Sequence, residues 1–370
     1  MVKTVGVCGY FSTGSSAFVD LLHEFSETQV LDIEFKLAHK KYGLEDLEFY
    51  FKKYHSLMAI SPFISYFISS FKRYDFFGSV GRQVDPSVLD KMLNDFVSAI
   101  ISNSQRHSRG DCISTINFSM LKYIEKLISK CCPMIIKNVI NKKVSELFYP
   151  NFNMMPEKFD EASRKFIINI LSSLGINFHC TTKDIIVLNQ SLLARDPIKS
   201  FKYFENPMAI IVDRDPRDHY LFGKFFLHSR LGKLCFPCDN VDNYIKWFRK
   251  MRLSPLDLQK QENVMLTNFE KLVYDFENTS KKVANFLGIT DHIHKGEYFK
   301  PTHSRNNTQL FKKYSGCESD IKKIEQELPE YIFPFENYPD IKSEGGMFYG
   351  SQSRKLTMPL ERYVREKKTK

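Results

Sequence analysis

The fold is decided near the start of the chain, by the stretch Val5-Gly6-Val7-Cys8-Gly9-Tyr10-Phe11-Ser12-Thr13-Gly14-Ser15-Ser16. Apolar residues come first, a loop of glycine, serine and threonine follows, and residues 17–22 then have a helical apolar pattern. Glycines let the backbone turn tightly enough for several N–H groups to point at one anion, and a helix start adds the positive end of its dipole. The stretch therefore predicts a strand, an anion-binding loop and a helix. A serine- and glycine-rich turn without a ligand is the alternative for these residues taken alone.

The spacing of Gly9 and Gly14 is that of the two glycines in a G-x-x-x-x-G-K-[ST] loop. Ser15 stands where that motif has its lysine, which disfavours a nucleotide triphosphatase. A nucleotide kinase or triphosphatase stays an alternative, but the chain has no clear acidic strand that would hold magnesium.

Composition limits the classes of partner. The chain has 370 residues, of which 43% are apolar, enough for one large α/β domain or two smaller ones. The net charge of +10 favours an anionic partner: a nucleotide, a sulfated or phosphorylated glycan, nucleic acid or an anionic membrane surface. Nucleic acid is disfavoured because no helix-turn-helix, zinc-finger or aromatic-basic sheet motif accompanies the charge.

The cysteines and the N-terminus predict a cytoplasmic protein without a metal. Eight cysteines are scattered along the chain, as is typical of reduced thiols, and the pair Cys235 and Cys238 lacks the second pair that a zinc site needs. Met1-Val2-Lys3-Thr4 leads into the first strand without an export signal. The apolar run 54–71 is interrupted by His55, Pro62 and serines, so we expect a pair of buried helices there rather than a membrane span.

Alternating strands and helices predict a three-layer α/β fold, with a P-loop-like parallel sheet flanked by helices and a large helical insertion. We expect one domain over 1–333 with the insertion at about 40–175, and a C-terminal extension over 334–370. The predicted strands after the first are 28–35, 184–189, 208–212 and 263–267, and the predicted helices include 44–51, 86–100, about 117–130, 157–173 and 269–287.

A second candidate anion site follows the strand 208–212. Arg214 and Arg217 come directly off this buried run, where the strand end meets the ligand edge of a parallel sheet. Arginine at such a place can hold a phosphate through two hydrogen bonds. The alternative is a solvated loop in which the arginines pair with Asp213, Asp215 and Asp218.

Four segments, in the right order, resemble PAPS-dependent sulfotransferases of the bacterial glycan type. They cover about 1–35 and 180–315 and leave the helical block largely unmatched. The segments are the loop 11–16, which looks like the family's 5′-phosphosulfate loop P-[KR]-S-G-T-[TS]; residues 212–218, similar to V-R-[DN]-P-[RK]-D; residues 263–288, similar to "R-Y-E-D-L … F-L-G"; and residues 300–308, similar to the S-x-x-N stretch.

The resemblance implies an activity, a cofactor and its binding residues. A sulfuryl group would move from 3′-phosphoadenylyl sulfate (PAPS) to a hydroxyl of a glycan, glycolipid or related acceptor, leaving adenosine 3′,5′-bisphosphate (PAP), without a metal. Arg214 would contact the 3′-phosphate. The other implied cofactor-binding residues are Ser12, Thr13, Gly14, Ser15, Ser16, Arg217, Ser304, Arg305 and Asn307.

Two positions depart from the family pattern. Ser12 stands where the family has the lysine or arginine that steadies the leaving phosphate, and Phe222 stands where it has a serine. Ser304, Arg305 and Asn307 could supply replacement contacts. A sulfotransferase-like protein that binds an anionic nucleotide or glycan without turnover is therefore a further alternative.

Glu34 is the predicted general base, because it ends the second strand and should face the ligand edge beside the loop. Glycan-type members of the family also place a glutamate there. His39 is the second candidate, and Lys36 could supply the positive charge that Ser12 lacks. The helical block would both cover the sheet and wall an acceptor pocket, and the sequence is compatible with a homo-oligomer.

Overall fold

The computed structural model describes residues 2–54, 57–72, 83–103, 152–179, 183–226, 236–290, 295–349 and 358–359. The chain divides into two compact units. The first unit comprises Met1–Lys36 and Ile176–Lys370, and the second comprises Leu37–Gly175.

The first unit is built on a five-stranded parallel sheet, which confirms the predicted α/β class. Its strand order is β2-β5-β1-β6-β7, where β3 and β4 belong to the second unit. The five strands are β1 (Lys3–Gly9), β2 (Thr28–Glu34), β5 (Ile185–Asn189), β6 (Pro207–Asp213) and β7 (Val264–Asn268). All five predicted strands are present within a residue or two of their expected ends.

The strand order places the ligand edge. The chain passes from β1 to β2 and back to β5 on one side of the sheet, and then crosses to β6 and β7 on the other side of β1. In sheets of this kind ligands bind beyond the carboxyl ends of the strands where the connections diverge. The carboxyl end of β1 leads into residues 10–14, so the predicted loop lies at this point.

One face of the sheet carries a continuous apolar core. Val5 and Val7 of β1 pack there with Ile210 and Val212 of β6. Three helices cover them, namely α1 (Ser15–His23), α9 (Phe269–Tyr274) and α10 (Phe276–Leu287). The prediction of one helix over 269–287 is wrong: Asp275, with a φ of −127° and a ψ of 48°, separates two helices. The predicted stop at Gly288 is confirmed, and its φ of 73° is the left-handed cap that glycine favours.

A second, largely aromatic cluster surrounds the helix that follows β6. Tyr220 and Phe222 pack there with Tyr244 and Phe248. The remaining elements of this unit are α6 (Ile198–Phe201), α7 (Pro216–Phe226), α8 (Val241–Arg252), α11 (Pro301–Ser304), α12 (Leu310–Lys313), α13 (Glu318–Glu327), the hairpin strands β8 (Phe348–Tyr349) and β9 (Met358–Pro359), and 3-10 turns at Leu258–Lys260, Arg305–Asn307, Pro329–Tyr331 and Phe335–Asn337.

The second unit is mostly helical. Its elements are α2 (Leu44–Lys53), α3 (Leu57–Lys72), α4 (Pro86–Ile100), β3 (Ile101–Asn103), β4 (Phe152–Met154), a 3-10 turn at Pro156–Lys158 and α5 (Phe159–Ser173). Asp85 caps α4 by accepting the N–H groups of Ser87 and Val88, as the Asp-Pro start predicts. The predicted helix at about 117–130 lies outside the described residues.

Helix α3 corrects one further expectation. The run 54–71 forms a single helix from Leu57 with Pro62 inside it, rather than a pair of helices. Proline removes one helical hydrogen bond, but the aromatic side of α3 continues past it, where Phe67 and Phe71 pack against Phe166 of α5. Among the described residues no helix is both long and apolar enough to span a membrane.

Candidate active site

The loop after β1 has an unusual backbone. Phe11 and Ser12 have φ values of 72° and 55°, and Gly14 has a φ of 90°. Non-glycine residues rarely adopt the left-handed region, and two in succession cost free energy that surrounding contacts must offset. The contacts of these residues therefore determine the shape of the loop.

Thr13 attaches the loop to β6. Its Oγ1 accepts a hydrogen bond from the Tyr10 N–H at 3.1 Å and donates one to the Val212 carbonyl at 2.7 Å. A Cβ on Gly9 would lie 2.1 Å from this oxygen, so glycine is required where the threonine folds back. Gly9 and Thr13 together make the tight turn that the sequence predicts.

Two side chains hold the carbonyls of the left-handed residues. His219 Nε2 lies 2.7 Å from the Phe11 carbonyl oxygen, and Arg214 Nη1 donates to the Ser12 carbonyl at 3.2 Å. In a trans peptide the carbonyl and the following N–H point in opposite directions. The N–H groups of Ser12 and Thr13 therefore point away from His219 and Arg214, as a loop that presents donors to an anion requires.

Helix α1 begins directly after this loop. Its N-cap is Gly14, which has no side chain with which to cap the first turn. Ser15 Oγ accepts a hydrogen bond from Gln190 Nε2 at 2.7 Å, which joins the helix start to the end of β5. Gly14 lies against Phe269, since a Cβ on it would be 2.6 Å from the ring.

Arg214 lies behind the loop with only 4% of its surface exposed. Nη1 donates to Ser12 O and Nη2 to Asn307 O, while the rings of Phe222 and Phe269 lie 4.9 and 5.4 Å from the guanidinium carbon. Nε has no hydrogen-bond partner in the described part of the chain. The structure thus brings together three of the predicted residues, Ser12, Arg214 and Asn307, and Phe222 covers the arginine.

Three buried carboxyl groups surround Arg214. Asp215 donates its N–H to Glu270 Oε1 at 2.9 Å, and the Asp218 carboxylate accepts the N–H groups of Gln309 and Leu310, both at 2.6 Å. Burial, followed by the charge of Asp215, raises the pKa of Asp218 to about 7. The same two causes raise the pKa of Glu270 well above its ordinary value. Asp218 therefore anchors the turn that contains Asn307, and Arg214 offsets the negative charge of the cluster.

Arg217 is bonded within the protein rather than presented at the loop. Its Nε and Nη2 donate to the two oxygens of Asp215 at 3.1 and 2.8 Å, and its Nη1 donates to Glu325 at 2.9 Å. The guanidinium stacks on Phe311 at 3.9 Å. Arg217 therefore pairs with an aspartate, as the alternative interpretation of this segment expects. The pair is buried rather than solvated.

Ser304 and Arg305, the other predicted residues of this stretch, have surroundings that differ from those of Asn307. Ser304 is fully buried in α11, and Arg305 donates from Nε and Nη2 to Asp340 at 3.0 and 2.8 Å. Of the stretch 304–307, it is Asn307 that contacts Arg214. The roles of Ser304 and Arg305 toward a cofactor stay predictions.

Glu34 is the last residue of β2 and lies opposite Asn189, the last residue of β5. Lys36 Nζ lies 2.7 Å from Glu34 Oε2, and both side chains are about a quarter exposed. The structure therefore places the predicted base and the predicted cation together, at the same edge as the loop. His39 belongs to the second unit, and its role stays a prediction.

Sequence reasoning missed two residues of the loop's surroundings, His219 and Gln190. His219 follows Asp218 within the arginine segment, and its place in the first turn of the helix leaving β6 was the available signal. Gln190 follows β5 directly, and its φ of 55° could not be read from a residue type without special turn preference.

The cysteine pair Cys235 and Cys238 was the one candidate metal site in the sequence. Cys238 is buried, and Cys235 lies outside the described residues. Over the described ranges, no group of three or more histidine, cysteine, aspartate or glutamate side chains is arranged to hold a metal ion.

No protein-family model matches the chain, and no curated protein matches it in sequence. Among solved structures it is similar to the sulfotransferase domain from the curacin biosynthetic pathway, with 12% identity and a TM-score of 0.36 over 90% of this chain and 98% of that one. It is also similar to retinol dehydratase in complex with androsterone and the inactive cofactor PAP, with 12% identity and a TM-score of 0.31 over 89% of this chain and 80% of that one. Both likenesses are distant.

Proposed function

We propose that the protein is a sulfotransferase that moves a sulfuryl group from PAPS to a hydroxyl group of a glycan, glycolipid or related acceptor. The observation that carries the proposal is the loop 10–14 at the carboxyl end of β1, in which two left-handed residues have their carbonyls bonded from behind. The four sequence segments that resemble PAPS-dependent sulfotransferases support the choice of donor.

The loop fits the anionic end of such a donor. The N–H groups of Ser12 and Thr13 point away from the side chains that hold the loop, and the uncapped start of α1 follows at once. Ser12 Oγ is buried and has no hydrogen-bond partner among the described residues. A buried hydroxyl in this condition favours a ligand that accepts its hydrogen bond.

PAPS supplies an activated sulfuryl group whose S–O bond to the phosphate breaks as the bond to the acceptor oxygen forms. The chain's part is to position the two oxygens and to offset the charge that grows on the leaving phosphate. Backbone N–H groups of the loop, the Ser12 hydroxyl and the α1 dipole would do this in place of the missing lysine. Arg214 would add a positive charge behind Ser12, and a contact of Arg214 with the 3′-phosphate is part of the proposal.

Glu34 would accept the proton of the acceptor hydroxyl. Its position at the end of β2 supports this role, and the ion pair with Lys36 at 2.7 Å orients the carboxylate. A glycan acceptor is proposed from the resemblance and from the net charge of +10, which favours anionic partners.

Thermal unfolding with PAP, AMP, or ATP with magnesium tests the cofactor. A ligand at about 100 times its dissociation constant stabilises a fold by roughly 2.7 kcal/mol, which a melting curve detects readily. We expect PAP to raise the melting temperature more than AMP does. Stabilisation by magnesium-ATP alone would favour the kinase alternative, and no response to any of the three would contradict the proposal.

Glu34→Gln tests the catalytic part. The amide cannot accept the proton, so transfer from PAPS should fall by roughly 10²-fold or more, the usual range for a general base. PAP affinity should stay within about threefold. The assay is sulfuryl transfer from labelled PAPS to a panel of glycans, with Glu45→Gln of the second unit as the control. If wild-type protein binds PAP and transfers nothing to any acceptor, the non-catalytic alternative is favoured.

A further inference from the structure

His219 lies in the first unit beneath the loop and is fully buried. It packs edge-on against Phe236, with 4.6 Å between ring centroids, and near Trp247 and Phe248. An imidazole among aromatic rings needs partners for both ring nitrogens, because an unbonded polar atom in such a place is costly. Each nitrogen lies beside a polar atom: Nε2 is 2.7 Å from Phe11 O, and Nδ1 is 3.0 Å from the Tyr244 hydroxyl oxygen.

These partners fix the tautomer. A carbonyl oxygen can only accept, so Nε2 must carry the proton that bonds Phe11 O. Burial, followed by the positive charge of Arg252, lowers the pKa of His219 well below its ordinary value. The ring is therefore neutral, with its proton on Nε2. The Tyr244 hydroxyl lies 3.0 Å from Nδ1 and donates its single proton to Pro216 O at 2.8 Å.

We infer that His219 is a positioning residue, whose Nε2–H holds Phe11 in the left-handed conformation and thereby turns the Ser12 N–H toward the anion site. The inference rests on the proposed function, since it assigns a residue to the same loop.

Phe11 has a φ of 72°, which a bulky residue adopts only where surrounding contacts hold it. The described contact to its carbonyl comes from His219. Because the peptide between Phe11 and Ser12 is trans, rotating its carbonyl away from His219 would turn the Ser12 N–H inward. Arg214 holds the Ser12 carbonyl in the same way. Two side chains of the segment 213–219 therefore orient two successive peptides of the loop.

Two amide substitutions separate positioning from packing. His219→Gln places an amide nitrogen near the position of Nε2 and can still donate to Phe11 O. His219→Asn is shorter, places its amide near Nδ1, and leaves Phe11 O without a donor. Both put a neutral amide in the same apolar site, and the shorter Asn leaves the larger cavity. A cavity alone would loosen the surrounding core as a whole rather than residues 10–14 selectively.

The expected binding results differ between the two variants. PAP affinity should fall by about tenfold in His219→Asn, the usual effect of losing one hydrogen bond, and by about threefold or less in His219→Gln. Tyr244→Phe, which removes the hydroxyl beside Nδ1 but leaves the bond from Nε2 to Phe11 O, is the matched control and should bind PAP as the wild type does. Equal losses in the Asn and Gln variants would overturn the inference, because only packing would then be at work.

A ligand-free readout keeps the inference separate from the proposed function. Amide hydrogen exchange of residues 10–14 should rise by about tenfold in His219→Asn, with β1 and α1 unchanged. A uniform rise across the unit, or no rise in the loop, would overturn the inference even if wild-type protein binds PAP. If wild-type protein does not bind PAP, the proposed function fails and the exchange result still decides the role of His219.

Nitrogen NMR of the wild-type side chain covers the case in which neither variant folds. The His219 ring should show the Nε2–H tautomer throughout the pH range in which the protein is folded. A ring protonated on Nδ1 alone, or one that titrates near pH 6.5, would contradict the bond to Phe11 and overturn the inference.

Discussion

The loop 10–14 and the segment 213–219 lie side by side and use opposite chemistry. The loop contains no charged side chain, and three positive φ values set the directions of its backbone groups. The segment contains five charged residues, and those that are buried are bonded within the protein. The buried charges of this edge therefore mainly shape the loop, and the proposed anion would meet the loop's own N–H groups.

Removing the central charge should have the largest effect. Arg214→Ala leaves the carbonyls of Ser12 and Asn307 without donors and removes a positive charge that acts on Asp218 and Glu270. Asp215 keeps its pairing with Arg217. Breaking a buried charge arrangement from one side typically costs about 3–5 kcal/mol of unfolding free energy. Urea denaturation measures the loss.

Arg249→Ala is the control for this change. Arg249 is about half exposed and lies 3.6 Å from Glu327, so the loss should be about 0.5 kcal/mol. Similar losses in the two variants would mean that Arg214 does not organise the edge. Where Arg214→Ala is folded, comparing PAP with AMP tests the proposed 3′-phosphate contact: a selective loss of PAP affinity supports it, and equal losses contradict it.

Gly14→Ala changes the other region. The alanine would have to adopt a φ of 90°, and its Cβ would lie 2.6 Å from the Phe269 ring. Backbone strain and overpacking therefore both destabilise the fold. We expect a loss of about 3 kcal/mol of unfolding free energy, of which roughly 1 comes from the left-handed conformation. The measurement is again urea denaturation, with PAP affinity as a second readout.

Gly175→Ala provides a matched comparison. Its φ is also 90°, but a Cβ there meets nothing within 4 Å. The loss should be about 1 kcal/mol, from conformation alone. If both substitutions cost the same, the contact of Gly14 with Phe269 does not constrain the loop.

The sequence predicts the sheet well because its strands are continuous apolar runs and because Gly9 and Gly14 mark the loop after the first strand. The five strands of the parallel sheet are predicted from the sequence, and so is the place of Glu34 at a strand end. The short strands β8 and β9 are not predicted. The positive φ of Phe11 could not be predicted, because it arises from His219, 208 positions away. The partners of Arg217 could not be predicted either, because Glu325 and Phe311 are distant in sequence and contact it only in the folded chain.

The protonation of Asp218 tests the same comparison through pH. Asp218 binds a proton up to about pH 7 when folded, against an ordinary pKa of 3.8 when unfolded. Between those values the folded state holds more protons, so unfolding free energy should fall as pH rises, by at most about 1.4 kcal/mol per unit. The reference is Asp218→Asn, which cannot titrate, so the difference between the two proteins at each pH isolates this group.

The direction in which that difference changes with pH shows whether Asp218 is protonated or ionised in the folded protein. A wild-type advantage over Asp218→Asn that shrinks from pH 4 to 7 means that burial beside Asp215 outweighs the two N–H bonds from Gln309 and Leu310. An advantage that grows over the same range would mean that the two bonds and Arg214 hold Asp218 ionised. In that case the segment 213–219 would carry less positive charge behind Ser12, and the loop's N–H groups would have to bind the anion with less help.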